Sequence, residues 1–362
     1  MRWARRGPGA GGTPAVRRYP KVELIRFGTD LMLALGAGGK TARIVAETAA
    51  ETEAMGINTH GLAVYPYYDA MVPDPIDPAA RPEVVRETGA SCVIDGRHGC
   101  SQPVLHLAGE IARRKAAEQG VAMVGIRRVS WLGALAAHLL PLVRSGFMAQ
   151  LWVQTTTAGD AAPFGGREAR LATNPVALAF PTAGDPVVSD FSTASISTGK
   201  TRAMAERGEK TAEPLFLDRG GKPSRDPRTF LDGGTILPLG GLHYGFRGYA
   251  LSLWCEATVA LSGGECHNPD AVSSQSANLT VIDPEAFGGR EQYLQEIERF
   301  KRHVLHTPPR PGFDRVRLPG ERLLESLRRS EERGVAVEAS MAHRLEKLAS
   351  KYGVAPPVSS AT

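Results

Sequence analysis

Thr59 and His60 set a hydroxyl directly beside an imidazole, within the segment Ile57-Asn58-Thr59-His60-Gly61. This pairing suits reduction of a carbonyl or an imine. The hydroxyl can hold a substrate oxygen or carboxylate, and the imidazole can exchange a proton near neutral pH. A second imidazole, His138, follows Trp131 by seven residues, two helical turns away on the same face. As a helix histidine its ordinary role is structural, and it is the substitute proton carrier if His60 does not serve. Gly165 and Gly166 permit close approach of backbone to a ligand. Ala34-Leu-Gly-Ala-Gly-Gly-Lys40-Thr41 fits a relaxed phosphate-loop pattern. Such a loop needs a strand before it. Residues 21–35 read instead as an amphipathic helix, so this stretch is expected to be a glycine-rich joint between helices.

The elements that must position these groups alternate between helix and strand, which gives an α/β class. Val22, Ile25, Leu31 and Leu35 recur at helical spacing, and a second helix is expected from Thr41 to Met55. Strands are expected at 91–96, 120–129, 149–155, 176–182, 186–191 and 278–283. Helices are expected at 103–119, 290–304 and 341–353. Apolar residues nearly encircle 249–263, so that helix should be largely buried. The polar, Gly- and Pro-rich region 203–236 reads as a long excursion over a ligand.

The chain has 362 residues and a formal charge of +5. Arg2, Arg5, Arg6, Arg17 and Arg18 account for that charge, since residues 1–18 contain no acid. A basic, Gly- and Pro-rich tail reads as a disordered extension over 1–20, so no nucleic-acid partner is expected. Neither a signal-peptide core nor an apolar run of membrane-spanning length is present, so no membrane role is expected. Cys92, Cys100, Cys255 and Cys266 lack Cys-x-x-Cys pairing, so no metal site is expected. They read as reduced thiols of a cytoplasmic protein.

An ordered series of motifs carries a resemblance. It comprises Ala-Pro-Phe-Gly-Gly (162–166), Ala-Thr-Asn-Pro (172–175), Asp-Phe-Ser-Thr-Ala-Ser (190–195), Gly199-Lys200, Leu-Pro-Leu-Gly-Gly (237–241) and Gly-Phe-Arg-Gly-Tyr (245–249). Their order resembles the malate/L-lactate dehydrogenase family that lacks a Rossmann fold, from about Val22 to about Gly353. The resemblance implies an α/β fold with a mixed sheet and an inserted NAD(P)-binding domain over 121–304. Residues 21–120 with 305–354 would form the substrate and dimerisation domain. It further implies NAD(P)H as cofactor, a small-molecule substrate, and a homodimer with sites at the subunit interface.

Residue by residue, the resemblance assigns catalysis to His60 with Thr59, the latter in the position of the family's serine. Cofactor contacts fall on Thr157, Asp190, Phe191, Ser192, Arg247, Pro319, Gly320 and Glu321. Two positions depart from the pattern. Val64 stands where an arginine grips the substrate carboxylate, and Trp131 stands where a histidine transfers the proton. Indole carries a single non-titrating N–H and cannot shuttle a proton. With Val64, Trp131 and His138 in the substrate pocket, the pocket is expected to be less cationic than the family's. It should favour substrates bulkier and less polar than malate or lactate. The alternative reading is a degenerate member that binds dinucleotide without turnover.

Overall fold

A computed structural model describes residues 16–360. Two antiparallel helices open the fold, α1 (Lys21–Ala34) and α2 (Gly39–Ala54), joined by the glycine-rich stretch read above as a helix joint. The buried face of α1 is Leu24, Phe27, Leu31 and Met32, at the i, i+3, i+7, i+8 spacing of one helical stripe. Val22, expected on that face, is instead exposed. A short helix α3 (Val64–Met71) follows the Thr59–His60 segment.

A seven-stranded mixed sheet forms the centre. Its strands are β2 (Glu83–Glu87), β3 (Ser91–Gly99), β4 (Val121–Val129), β5 (Met148–Thr155), β6 (Pro175–Phe180), β7 (Val187–Ser192) and β11 (Gln275–Ile282). The spatial order is β2-β3-β4-β11-β5-β6-β7, and only β3 and β4 run parallel. That single parallel step needs a crossover, supplied by α4 (Ser101–Gln119). Strand β11 is inserted between β4 and β5, with Leu279 paired to Val124 on one side and Leu151 on the other. Nearly every residue of β11 is buried, as expected of a central strand covered on both faces. The division expected at 120/121 falls between β3 and β4, which are neighbours in this one sheet.

Helices α5 (Leu135–Arg144) and α9 (Phe246–Leu261) also pack on the sheet. Contrary to expectation, α9 is not buried all round. Leu253, Trp254 and Leu261 are exposed, while Trp254 also meets Trp152 of β5 edge-on, with ring centroids 6.5 Å apart. Between β7 and α9 lie α6 (Thr198–Glu206), a small sheet of β8 (Phe216–Leu217), β9 (Pro223–Ser224) and β10 (Thr235–Ile236), and the short helices α7 (Arg228–Leu231) and α8 (Gly241–Tyr244). This region has its own small core around Phe216 and Ile236. No residue of 203–236 is among those that line the cavity described below.

The chain closes with α10 (Arg290–Leu305), α11 (Glu321–Arg333), β12 (Val335–Glu338) and α12 (Ala339–Tyr352). Strand β12 pairs antiparallel with β1 (Val16–Tyr19), whose residues were expected in the disordered extension. Burial of Tyr19, 3 % exposed, explains the correction: the strand brings an aromatic side chain into the core. The rest of that expectation, residues 1–15, lies outside the described residues. Tyr19→Ala should destabilise the protein by ~3–5 kcal/mol, the usual cost of emptying a buried aromatic site. Urea unfolding followed by circular dichroism measures this, and a change below about 0.5 kcal/mol would show that β1 contributes no packing.

Candidate active site

The chain leaves α2 through Met55 and Gly56 and turns sharply, His60 N–H donating to the Ile57 carbonyl at 2.9 Å. Glu53 fixes this turn. Its side chain, 2 % exposed, accepts from the Leu62 N–H at 3.0 Å. A Cβ at Gly61 would lie 2.8 Å from the Glu53 nitrogen and closer still to its carboxylate, so only glycine fits there. Burial pushes the Glu53 carboxyl up to about 7 against the Leu62 hydrogen bond, with a further upward push from Glu338. Thr59 Oγ1 lies 2.7 Å from His60 Nδ1, leaving Nε2 for a ligand. Burial lowers His60 to about 4, so its ring is neutral at pH 7.

Trp131 faces this imidazole, with ring centroids 5.0 Å apart. Its backbone is held at both ends: Trp131 N–H donates to Tyr67 Oη at 3.2 Å, and Ser101 Oγ donates to the Trp131 carbonyl at 2.7 Å. The next residue, Leu132, donates its N–H to Gln275 Oε1 at 2.7 Å, and Gln275 Nε2 donates to Thr155 Oγ1 at 2.7 Å. At the end of β7, Asp190 accepts from the Ala136 N–H at 3.0 Å, which ties that strand to the first turn of α5. Asp190 is open to solvent within the cavity, yet the dense walls around it raise its carboxyl to about 6 despite the N–H donors of Ala136 and Leu135. Gly320 holds φ +92°, and a Cβ there would lie 2.9 Å from the Val188 carbonyl. The Pro319–Gly320 turn therefore seats directly on β7, where Val188 N–H donates to Pro319 O at 3.2 Å.

These groups line one cavity of about 1570 Å³. It brings together Thr59, His60, Trp131, Asp190, Phe191, Ser192, Pro319 and Gly320 from the sequence expectations. Five expected residues are not among its lining residues. Val64, 2 % exposed, points into the main core from the first turn of α3. His138 Nε2 is 3.2 Å from the Leu132 carbonyl, and burial lowers its pKa to about 4, so it braces the Trp131 turn. Thr157 Oγ1 donates to Ser273 Oγ at 3.1 Å. Arg247 is exposed, its guanidinium 4.9 Å above the Tyr244 ring. Glu321 accepts from the Leu318 N–H at 2.7 Å and pairs with Arg315 at 2.6 Å, so it supports the Pro319–Gly320 turn from behind.

Sequence reasoning also missed the cavity's charge. Lys200, Arg310, Arg315, Arg317, Arg322 and Arg329 all line it, and the sequence expectations named none of them as site residues. Only Lys200 belonged to a recognised motif. The arginines lie within and after the Pro-rich run at 306–313, far in sequence from His60, and nothing local marks them as site residues.

The profile described as malate/L-lactate dehydrogenase matches residues 20–346. The L-lactate dehydrogenase of Cupriavidus necator is 32 % identical over 91 % of this chain and 96 % of that protein. The Δ1-pyrroline-2-carboxylate/Δ1-piperideine-2-carboxylate reductase of Pseudomonas syringae pv. tomato is 32 % identical over 91 % and 95 %. Among solved structures, malate dehydrogenase from Pyrococcus horikoshii superposes with a TM-score of 0.85 at 26 % identity, covering 96 % of this chain and 99 % of that one.

The Glu53 contact has a measurable pH signature. Its folded pKa of about 7 exceeds the ordinary 4.5, so its contribution to stability is full below pH 4.5 and is lost as pH rises through 7. Wild-type stability should fall for this reason by on the order of 2–3 kcal/mol between pH 4.5 and 8. Glu53→Gln keeps an oxygen for the Leu62 N–H and should remove that fall. Urea midpoints that change equally with pH in both proteins would contradict it.

Proposed function

Because the chain belongs to the malate/L-lactate dehydrogenase family, we propose that it is an NAD(P)H-dependent oxidoreductase reducing a C=O or C=N group next to a carboxylate. The observation that carries this reading is a single cavity lined both by the Thr59–His60 pair and by Asp190–Ser192 with Pro319–Gly320. Its volume exceeds the ~300–1,000 Å³ of ordinary small-ligand pockets, which suits a dinucleotide and a substrate together. Asp190, Phe191, Ser192, Pro319 and Gly320 would hold the dinucleotide, and the basic lining suits its phosphates. When bound, that cofactor supplies the hydride.

His60 Nε2 would give or take the proton at the substrate heteroatom while Thr59 fixes the ring through Nδ1. In the ligand-free cavity the neutral ring is ready to accept a proton from an alcohol. In the reductive direction, a negatively charged substrate beside it raises its proton affinity. A protonated imine needs no such donor, so the exchange of histidine for Trp131 favours the cyclic-imine class among the reactions named for the relatives. Met55, Ile57, Trp131 and Leu132 line the cavity near His60 and favour an apolar substrate body over that of malate.

We further propose a homodimer. Tyr244, Phe246, Leu253, Trp254 and Leu261 expose an apolar stripe along α8 and α9, of the kind that marks a protein interface. Arg247 stands on this stripe, and a dimer would give it a route to a cofactor that the single chain does not offer. Trp254→Asp should convert the dimer to monomer in light scattering, and an unmodified protein that runs as a monomer would refute the dimer.

Calorimetry should show micromolar binding of NADH or NADPH, about −8 kcal/mol. His60→Ala should lower turnover ~10²-fold or more on keto acids, with cofactor affinity unchanged. Binding of neither cofactor would rule the function out, and cofactor binding with no turnover across keto and cyclic imino acids would favour the non-catalytic alternative. Near wild-type turnover in His60→Ala would return that histidine to a structural role.

A further inference from the structure

The oxidoreductase reading requires a partner for the substrate's negative charge, and Val64 cannot provide one, being sealed in the core. The cavity's other cations divide by their existing engagements. Arg315 pairs with Glu321 and Glu325, and Arg317 pairs with Asp314. Arg310 lies 4.5 Å above the Phe313 ring, and Arg322 is engaged as well. Lys200 sits on α6 beyond Ser197, on the chain leading away from β7. Arg329 lines the cavity with no acidic partner among the described residues.

Its placement is fixed from both sides. Ser326 and Ser330 on the same face of α11 each donate Oγ to the Ala54 carbonyl at 3.0 Å. Ala54 ends α2, and the chain then passes through Gly56 and Ile57 into the turn that carries His60. The other end of α11 begins at Gly320, seated against Val188 of β7, two residues before Asp190. Helix α11 thus spans the cavity from the strand end proposed for the cofactor to the turn that holds the imidazole. Arg329 occupies the imidazole side.

We propose that Arg329 is the anion anchor of the active site, binding the substrate's carboxylate or sulfonate in place of an arginine at position 64. The assignment rests on the oxidoreductase reading and adds to it the residue that holds the substrate's acidic group. A guanidinium on a helix is well suited to this, since its planar fork meets a carboxylate by two hydrogen bonds. The same chemistry would serve a cofactor phosphate, so the experiment must separate the two sources.

The test compares Arg329→Met and Arg329→Lys with the unmodified protein, using phenylpyruvate, its methyl ester and NADPH. Arg329→Met should raise KM for phenylpyruvate by roughly 10- to 100-fold, the range expected for a lost charged hydrogen bond. The neutral ester should be unaffected, NADPH affinity should stay within about twofold, and Arg329→Lys should recover part of the loss. Calorimetric binding of phenylpyruvate to the NADP⁺-saturated protein gives the same comparison without turnover. An unchanged KM for the acid overturns the proposal. So does a loss that falls on NADPH instead, which assigns the arginine to a phosphate, and so does failure of the unmodified, NADP⁺-saturated protein to bind the acid. Failure of the unmodified protein to bind NADH and NADPH alike defeats the oxidoreductase reading itself.

Discussion

The contact between Glu53 and the His60–Gly61–Leu62 turn is the constraint on which the site depends. A buried carboxylate at the end of α2 accepts the Leu62 N–H, and Gly61 lies too close for any side chain. This forces the chain to fold back over the helix it has just left. His60 is thereby held at the cavity wall, and α3 starts at an angle that turns Val64 into the core. The cost is a carboxyl group kept out of water, visible in its raised pKa.

Around that turn, the site is assembled from elements that share no local sequence. Trp131 is placed by Tyr67 from α3 and Ser101 from α4. Leu132 is placed by Gln275 at the start of β11. The crossover of α4 and the insertion of β11 between β4 and β5 are what bring these residues together. Beneath Trp131, Tyr68 Oη joins Gln102 Oε1 at 2.7 Å and Ser130 Oγ at 2.9 Å, so the turn rests on satisfied polar groups. The indole is therefore a rigid wall, and its effect on chemistry is shape and polarity rather than proton transfer.

The cavity is polarised along α11. One end of this helix is docked on β7 by a glycine that alone tolerates the approach, and the other is tied by two serines to the end of α2. Two of the five arginines that line it there, Arg315 and Arg317, are already matched with acids from the same segment. The segment supplies positive charge to the cavity while neutralising part of its own.

From the sequence alone, the α/β class and the main strands and helices follow, because periodicity is a local property of the chain. Strands near 120–129, 149–155 and 278–283 and the helix near 103–119 are where their patterns put them. The motif series likewise carries the family, and the pairing of Thr59 with His60 is legible because the two are adjacent in the chain. Strand β1 escaped notice because Val16-Arg17-Arg18-Tyr19 shows no strand alternation and is held only by its pairing with β12, more than 300 residues away. Counting residues located position 64 but not the helix face it occupies, and motif matching located Arg247 but not the surface on which it stands. The cationic lining was decided entirely by tertiary structure. Charge in a cavity is a sum over residues distant in sequence, and no local pattern records which of them face the same space.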